Sequence, residues 1–171
     1  MRNLLLLMAV VLAAPLSASP LPEKADLLAQ NTVVARYIGS QHRPCMFRTA
    51  ECPDRCGHAT TVAIFEVLSN EEYSKPGQYG DDKAEPGSRL MLDVQRDIPG
   101  QPEAVRETLQ QLTPGEKLRL TVSHYYVNVD NSHFPVRPVT QLEKLEPTAE
   151  DDAPLSPLPE VEEPRVMPCA R

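Results

Sequence analysis

A cluster of cysteine and histidine residues between positions 42 and 58 is the part of the sequence best suited to chemistry. It places His42 and four further residues that can bind metals, three cysteines and one histidine, within 17 residues. Three thiolates and one imidazole form a tetrahedral set that suits Zn²⁺ or Cu(I). The predicted ligands are Cys45, Cys52, Cys56 and His58. Their spacing, C-x6-C-x3-C-x-H, is not a standard zinc-finger spacing, so the pattern suggests a metal site without specifying one.

The N-terminus carries the three parts of a secretory signal peptide. Arg2 supplies the positive charge, residues 4–14 form an unbroken apolar run, and residues 17–19 are small enough for a cleavage site. The apolar run is shorter than the roughly 20 residues that a transmembrane helix requires. The sequence therefore predicts a signal peptide over residues 1–18, no membrane span, and a periplasmic or secreted mature protein.

Export favours an alternative to a metal site in the cysteine cluster, namely a disulfide, because neighbouring thiols in an oxidising compartment usually pair. A disulfide in this loop would stabilise the fold by constraining the unfolded chain. Three neighbouring cysteines leave an odd one, and the remaining cysteine, Cys169, lies near the C-terminus. Both interpretations stay open at this point: a Zn or Cu site, or a disulfide staple.

The strands and the helix that must position this loop can be predicted from hydrophobic periodicity. Apolar side chains at helical spacing predict a helix over residues 103–112, and the pattern on either side of it is that of β-strands. Strands are predicted over residues 32–39, 60–68, 88–95, 117–126 and 134–145.

The fourth predicted strand has the clearest alternation of apolar and polar residues. Its phase puts His124 on the side that faces the core. A single histidine in that phase is interpreted as a core residue with a hydrogen-bond partner. In the fifth strand, Pro135 and Pro138 indicate a sheet edge or a strand start.

This order of elements resembles the OB-fold, a five-stranded Greek-key barrel, here with one helix between strands 3 and 4. The chain is also similar to OB-type domains of bacterial envelope proteins, including one attached to a copper-responsive envelope lipoprotein. The resemblance covers residues 31–145 and rests on element order. It implies a ligand face flanked by the loops between strands 1 and 2 and between strands 4 and 5.

The cysteine and histidine loop and the turn carrying His133 would border that face. Aromatic rings there could stack against bases or sugars. The candidate residues of the ligand face are His42, Tyr37, Phe65, Tyr125 and His133.

Two segments are predicted to lie outside the barrel, a linker over residues 19–30 and a tail over residues 146–171. The tail has six prolines, seven acidic residues, two basic residues and no aromatic residue. Such a composition buries too little apolar surface to offset the entropy of ordering, so the tail is predicted to be disordered.

Composition restricts the function to a few classes. The net charge of −7 opposes a partner that is bound through its phosphates, so nucleic acid is disfavoured. The sequence has no G-x-S-x-G, no H-E-x-x-H and no glycine-rich phosphate loop. The neighbouring pair Asp81 and Asp82 is interpreted as a solvated turn.

The sequence thus predicts a monomeric, non-enzymatic exported binding module for an envelope ligand or protein, with a metal-linked role through Zn or Cu. The alternative is an OB-fold protein that binds oligosaccharide or nucleic acid and uses the cysteine loop as a disulfide staple.

Overall fold

The secondary structure is known from a computed structural model that describes residues 20–45, 58–129, 132–147 and 154–161. In chain order, these residues form β1 (Ala25–Arg43), β2 (Thr60–Ser74), β3 (Arg89–Asp93), α1 (Glu103–Gln110), β4 (Lys117–Val129), β5 (Ser132–Val136) and β6 (Val139–Lys144). The predicted mainly β class and the helix between the third and fourth strands are confirmed. The predicted signal peptide, residues 1–18, lies outside the described residues.

The strands pair in the order β3-β2-β1-β4-β5, and β6 pairs with β4 as well. β5 and β6 lie end to end along one edge of β4, so the predicted fifth strand is split into two. The split falls at Pro138, which has no N–H to donate to a continuous ladder. Within the described ranges no pairing joins β3 to β5 or β6. The predicted five-stranded barrel is therefore corrected to an open antiparallel sheet of six strands.

β1 is the long central strand of this sheet. It pairs with β4 from residue 25 to residue 36 and with β2 from residue 30 to residue 43. The prediction of a linker over residues 19–30 is therefore wrong from Ala25 onward. Residues 25–30 lack the β-branched side chains that signal a strand, but pairing with β4 provides ladder hydrogen bonds that outweigh this weak local preference.

One face of the sheet, the inner face, carries the hydrophobic core, and α1 packs against it. The side chain of Gln101, just before α1, accepts a hydrogen bond from the Val139 N–H at 3.0 Å and ties the helix to β6. Gln110 Nε2 donates to the Val94 carbonyl at 2.8 Å and ties the other end of α1 to the end of β3. The core residues are Val33, Ala35, Tyr37, Ala63, Phe65, Val67, Leu92, Val94, Val105, Leu109, Leu118, Leu120, Val122 and Val139.

The opposite face, the outer face, is partly covered by residues 154–161, which belong to the predicted disordered tail. The carbonyl of Pro159 accepts from Gln41 Nε2 at 2.7 Å, and that of Pro157 accepts from Arg89 Nη2 at 2.9 Å. These contacts correct the disorder prediction for residues 154–161. The composition argument counted only apolar burial, whereas this segment docks through main-chain carbonyls, and its prolines reduce the entropy lost on docking.

The described part of the chain contains α1 as its helix, and it has no helix with the length and hydropathy that crossing a membrane would require.

Candidate functional site: a cavity between the two sheet edges

A cavity of about 210 Å³ lies between the inner face of β1 and β4 and the segment that leads into β3. β3 borders it on one side, and Arg137, between β5 and β6, borders it on the other. The cavity thus lies between the two strand edges that do not pair with each other. Most of its wall is apolar, and its polar groups are contributed by five side chains. The lining residues are Ala29, Asn31, Val33, Asp81, Asp82, Ala84, Leu90, Met91, Leu92, Val122, His124 and Arg137.

Residues 77–84, which we call the cavity loop, are held tightly against β1. The Gly77 N–H donates to the Leu28 carbonyl at 3.1 Å, and the Ala84 N–H donates to Asn31 Oδ1 at 3.0 Å. Leu28 lies at a register shift of the β1–β4 ladder, which lets its carbonyl serve the loop instead of β4. A Cβ at Gly80 would lie 2.2 Å from the Leu28 oxygen, so the loop can approach this closely only with glycine at that position.

This anchoring brings an aspartate, a histidine and an arginine together at the cavity wall. Arg137 Nε and Nη2 donate to the two carboxylate oxygens of Asp81 at 2.8 and 2.9 Å. The main-chain N–H of Asp81 donates to His124 Nδ1 at 3.2 Å, and Asp81 Oδ1 lies 3.0 Å from the same nitrogen. The carboxylate therefore binds a guanidinium bidentately and also lies within hydrogen-bond distance of the imidazole.

The protonation state of His124 selects between two of these contacts. Burial lowers the pKa of His124, the charge of Arg137 lowers it further, and the Asp81 carboxylate opposes both effects. In the neutral ring, Nδ1 accepts the Asp81 N–H and the proton is on Nε2. In the charged ring, Nδ1 carries a proton that points to Asp81 Oδ1.

Asp81 itself is held in its charged form. The hydrogen bonds from Arg137 are the main reason that the pKa of Asp81 lies below its usual value, and the nearby His124 acts in the same direction. Its carboxylate is therefore engaged in structural contacts, so it is poorly suited to act as a general base.

Two of the predicted ligand-face residues lie in the core instead. Tyr37 and Phe65 are 5% and 0% exposed, and their ring centroids lie 5.4 Å apart. This corrects their assignment to an exposed stacking face. Strand alternation puts both side chains on the same face as the core residues, where the rings pack against each other.

The other predicted ligand-face residues are found at two separate places. Tyr125 is half-buried and His133 is exposed, and both lie at the β4–β5 end of the sheet. His133 stacks against exposed Tyr126, with ring centroids 5.8 Å apart and an interplanar angle of 12°. His42 is exposed and pairs with Thr61 at the other end of β1.

The described residues at the start of the two predicted flanking loops, His42 and His133, lie at opposite ends of β1. The cysteine and histidine loop follows the C-terminal end of β1, whereas the turn beside His133 lies next to the N-terminal end of β1. Antiparallel pairing of β1 with β4 forces this arrangement, since the loops follow strands that run in opposite directions.

Only part of the cysteine and histidine loop can be described. Cys45 lies two residues after the end of β1 and is disulfide-bonded. His58 lies just before β2, and its carbonyl accepts a hydrogen bond from Arg96 Nη2 at 2.8 Å. The predicted ligands Cys52 and Cys56, and also Cys169, lie outside the described residues. No group of three or more histidine, cysteine or acidic residues within the described ranges is arranged to hold a metal ion.

Sequence reasoning placed His124 correctly as a buried residue with a hydrogen-bond partner, but it did not find that partner. Asp81 was assigned to a solvated turn, and Arg137 received no role. One signal was available: Gly77 and Gly80 precede Asp81 closely, and glycine often marks a close backbone approach. Which strand the loop approaches could not be read from the sequence.

No protein-family model, curated protein or solved structure matches this chain.

Proposed function

We propose that the protein is an exported, non-enzymatic binding module that takes a small, mostly apolar molecule into the cavity between β3 and Arg137. The observation that carries this proposal is a preformed cavity whose wall is apolar and whose polar groups converge at His124 and Asp81. Ligand sites in proteins commonly combine these two features.

The size of the cavity restricts the ligand. An apolar protein cavity of about 150 Å³ is large enough to bind benzene. At about 210 Å³, this cavity suits a molecule of one or two rings with a polar substituent. The polar substituent would lie at the His124 and Asp81 end, and the rings would lie against Leu90, Met91 and Leu92.

Two observations favour binding over catalysis. The cavity is lined by no serine, threonine, cysteine or lysine from the described parts of the chain, so hydroxyl, thiol and amine nucleophiles do not face it there. In addition, the Asp81 carboxylate already accepts two hydrogen bonds from Arg137. These contacts suit a rigid wall, which lowers the entropy lost on ligand binding.

We also propose that the fold is OB-like, and the strand order supports this. β4 returns after α1 to lie beside β1, which gives the spatial order of a Greek key, β3-β2-β1-β4. An OB-fold is a partly open barrel of this kind. The approach of β3 and Arg137 around one cavity is what an incompletely closed barrel would produce.

Phenol and indole are suitable probes for the cavity. We expect both to cause saturable chemical-shift changes at His124 and Ala84 in amide and imidazole NMR spectra. Ala84→Leu should abolish these changes because the larger side chain fills the cavity. The matched control is Ala104→Leu on α1, which does not line the cavity and should leave binding intact. Absence of saturable shifts in the wild-type protein, or binding that survives Ala84→Leu, would contradict the proposal.

A second candidate is oligosaccharide binding at the β4–β5 hairpin. The exposed stacked rings of Tyr126 and His133 form an aromatic surface of the kind that packs against sugar rings. Titration with maltotriose and chitotriose should then shift Tyr126 resonances, and Tyr126→Ala should remove the effect. Shifts confined to the cavity would speak against this candidate.

For the cysteine loop, we propose a disulfide staple in preference to a Zn or Cu site. A disulfide-bonded Cys45 has no thiolate to offer, so one of the four predicted ligands is lost. Free-thiol titration of the native, exported protein should find at most two free thiols among the four cysteines. Elemental analysis showing one equivalent of bound Zn or Cu would instead favour the metal-linked role.

A further inference from the structure

Residues 154–161, which we call the docked segment, bind the outer face through their main-chain carbonyls. Pro154 and Pro157 each present a carbonyl to an arginine: Arg36 Nη2 lies 3.4 Å from the first and Arg89 Nη2 lies 2.9 Å from the second. In a polyproline II helix, carbonyls three residues apart point in the same direction. The two arginines, on β1 and β3, therefore match the repeat of an extended proline-rich chain.

Two side chains of the docked segment add specificity to these carbonyl contacts. Ser156 Oγ donates to Glu66 Oε1 at 2.9 Å. Leu158 lies over Gly39, where its Cδ2 would be 3.4 Å from a Cβ at that position. The leucine side chain therefore packs on the backbone of β1, at a distance where even an added Cβ would be in ordinary van der Waals contact with it.

The floor of this surface is a buried ion pair. Arg36 and Glu66 lie 3.1 Å apart, and their side chains are 7% and 22% exposed. Taking both charges out of water costs free energy, which is recovered only if further hydrogen bonds use their remaining donors and acceptors. Pro154 and Ser156 supply such bonds, so the pair is matched to a peptide with a carbonyl and a hydroxyl at this spacing.

We propose that the outer face of β1, β2 and β3 is a recognition surface for extended proline-rich segments of another polypeptide, and that the chain's own docked segment occupies it in cis. The described part of the chain offers this surface independently of the cavity, so the proposal does not rest on the proposed function. Leu155 and Leu158 of the docked segment are still 39% and 43% exposed. A segment held by few contacts can be exchanged for a similar one.

The test uses a fluorescein-labelled peptide with the sequence of residues 152–163, DAPLSPLPEVEE, added to the full-length protein. In the wild-type chain the cis segment competes at an effective concentration of roughly millimolar, so added peptide should bind weakly. The full-length Leu158→Asp variant should release its own segment and bind the peptide at least about tenfold more tightly by fluorescence anisotropy.

Arginine variants test whether the binding uses the proposed surface. Adding Arg89→Gln to Leu158→Asp should weaken peptide binding several-fold, because the Pro157 carbonyl loses its donor. The matched control is Arg106→Gln, whose guanidinium pairs with Glu103 on α1 and does not face the segment. A scrambled peptide of the same composition that binds as well as the original, or equal effects of the two arginine variants, would overturn the proposal.

One measurement uses only the wild-type chain and so does not depend on the folding of a variant. In the wild-type chain, a nuclear Overhauser effect between the Leu158 methyl groups and the Gly39 α-protons should report the docked segment in place. Its absence would overturn the proposal. Dimers of the wild-type chain that dissociate upon Leu158→Asp would show that the occupant is a second copy, and would overturn the assignment to another polypeptide.

Discussion

The two faces of the sheet each carry an arginine–carboxylate pair, and the pairs differ in how much hydrogen-bonding capacity they leave for other contacts. On the inner face, Arg137 and Asp81 are 48% and 39% exposed and bind each other through two hydrogen bonds. On the outer face, Arg36 and Glu66 are more deeply buried, and one contact between them is joined by contacts to the docked segment. The bidentate contact between Arg137 and Asp81 holds the cavity wall in place. The Arg36–Glu66 pair keeps hydrogen-bonding groups that contact the docked segment.

The two faces also differ in what lies against them. The inner face borders a cavity that no described segment fills, while the outer face is partly covered by residues 154–161. The comparison teaches that the proposed ligand cavity on the inner face is preformed by loop anchoring, whereas the proposed peptide surface on the outer face is completed by residues 154–161 of the chain itself. Variants that affect one face and spare the other test this difference.

The largest expected effect comes from breaking the close approach of the cavity loop. Gly80→Ala places a Cβ 2.2 Å from the Leu28 oxygen, so the loop or β1 must shift. We expect a loss of about 2–3 kcal/mol in the free energy of unfolding, measured by urea denaturation. The control is Gly87→Ala, where no atom lies within 4 Å and only the positive φ of 82° is strained. That variant should cost about 1 kcal/mol; equal losses would contradict the steric argument.

On the outer face, Leu158→Asp should release the docked segment at a smaller cost. A half-exposed leucine buries limited apolar area, so we expect about 1 kcal/mol from urea denaturation. Leu158→Met keeps the volume and should be close to wild type. The cavity should be unaffected, and indole binding that weakened with Leu158→Asp would show that the two faces are coupled.

The pH dependence of stability should distinguish the inner face. The folded pKa of His124 is below the ordinary value of 6.5, so between these two pKa values the unfolded chain holds the additional proton. The free energy of unfolding should therefore fall as pH decreases through about 6.5, by at most about 1.4 kcal/mol per pH unit for this group. His124→Gln should flatten the urea midpoint between about pH 7 and about pH 5; an unchanged slope would contradict this.

At pH values below that range, the carboxylates should dominate the pH dependence of stability. Hydrogen bonds from Arg36, and then from Ser156, lower the pKa of Glu66, so its contribution to stability is present above 4.5 and is lost as pH falls below it. Asp81 behaves in the same way below 3.8, mainly because of Arg137. Acid should thus weaken both faces, but only the inner face should respond near neutrality.

The smallest effect is a pair of opposite shifts at His124. Arg137→Gln removes a positive charge that lowers the pKa of His124, so the pKa should rise. Asp81→Asn removes the charge that raises it, so the pKa should fall further. NMR titration of the imidazole Cε1 proton measures both. Arg119→Gln, a distant exposed arginine paired with Glu71, serves as the control. Shifts in the same direction for both cavity variants would contradict the assigned geometry.

Local periodicity predicted the elements well where one face of a strand or helix is buried. The alternation of Leu118, Leu120 and Val122 predicted β4 and the inward position of His124, and helical spacing predicted α1. Periodicity failed where pairing partners decide the outcome. Residues 25–30 form strand because β4 is alongside them, and Pro138 splits the last strand where a single element was predicted.

The candidate site was mostly beyond sequence reasoning. The aromatic residues chosen for a ligand face included Tyr37 and Phe65, which are buried because their strand phase matches that of the core. In the sequence, 43 residues separate Asp81 from His124, and Arg137 lies further along the chain. The three meet only because the cavity loop binds Leu28 and the sheet edges approach each other.

The sequence by itself determined the mainly β class, the helix between the third and fourth strands, and the burial of His124, because these follow from side-chain periods of 2 and 3.6 residues. Only the tertiary structure decided that the sheet is open, that its two edges enclose a cavity, and that residues 154–161 cover the outer face. Those features depend on which distant backbone groups hydrogen-bond to one another. Nearly every residue has the same N–H and C=O to offer, so the choice of distant partner leaves little trace in local sequence.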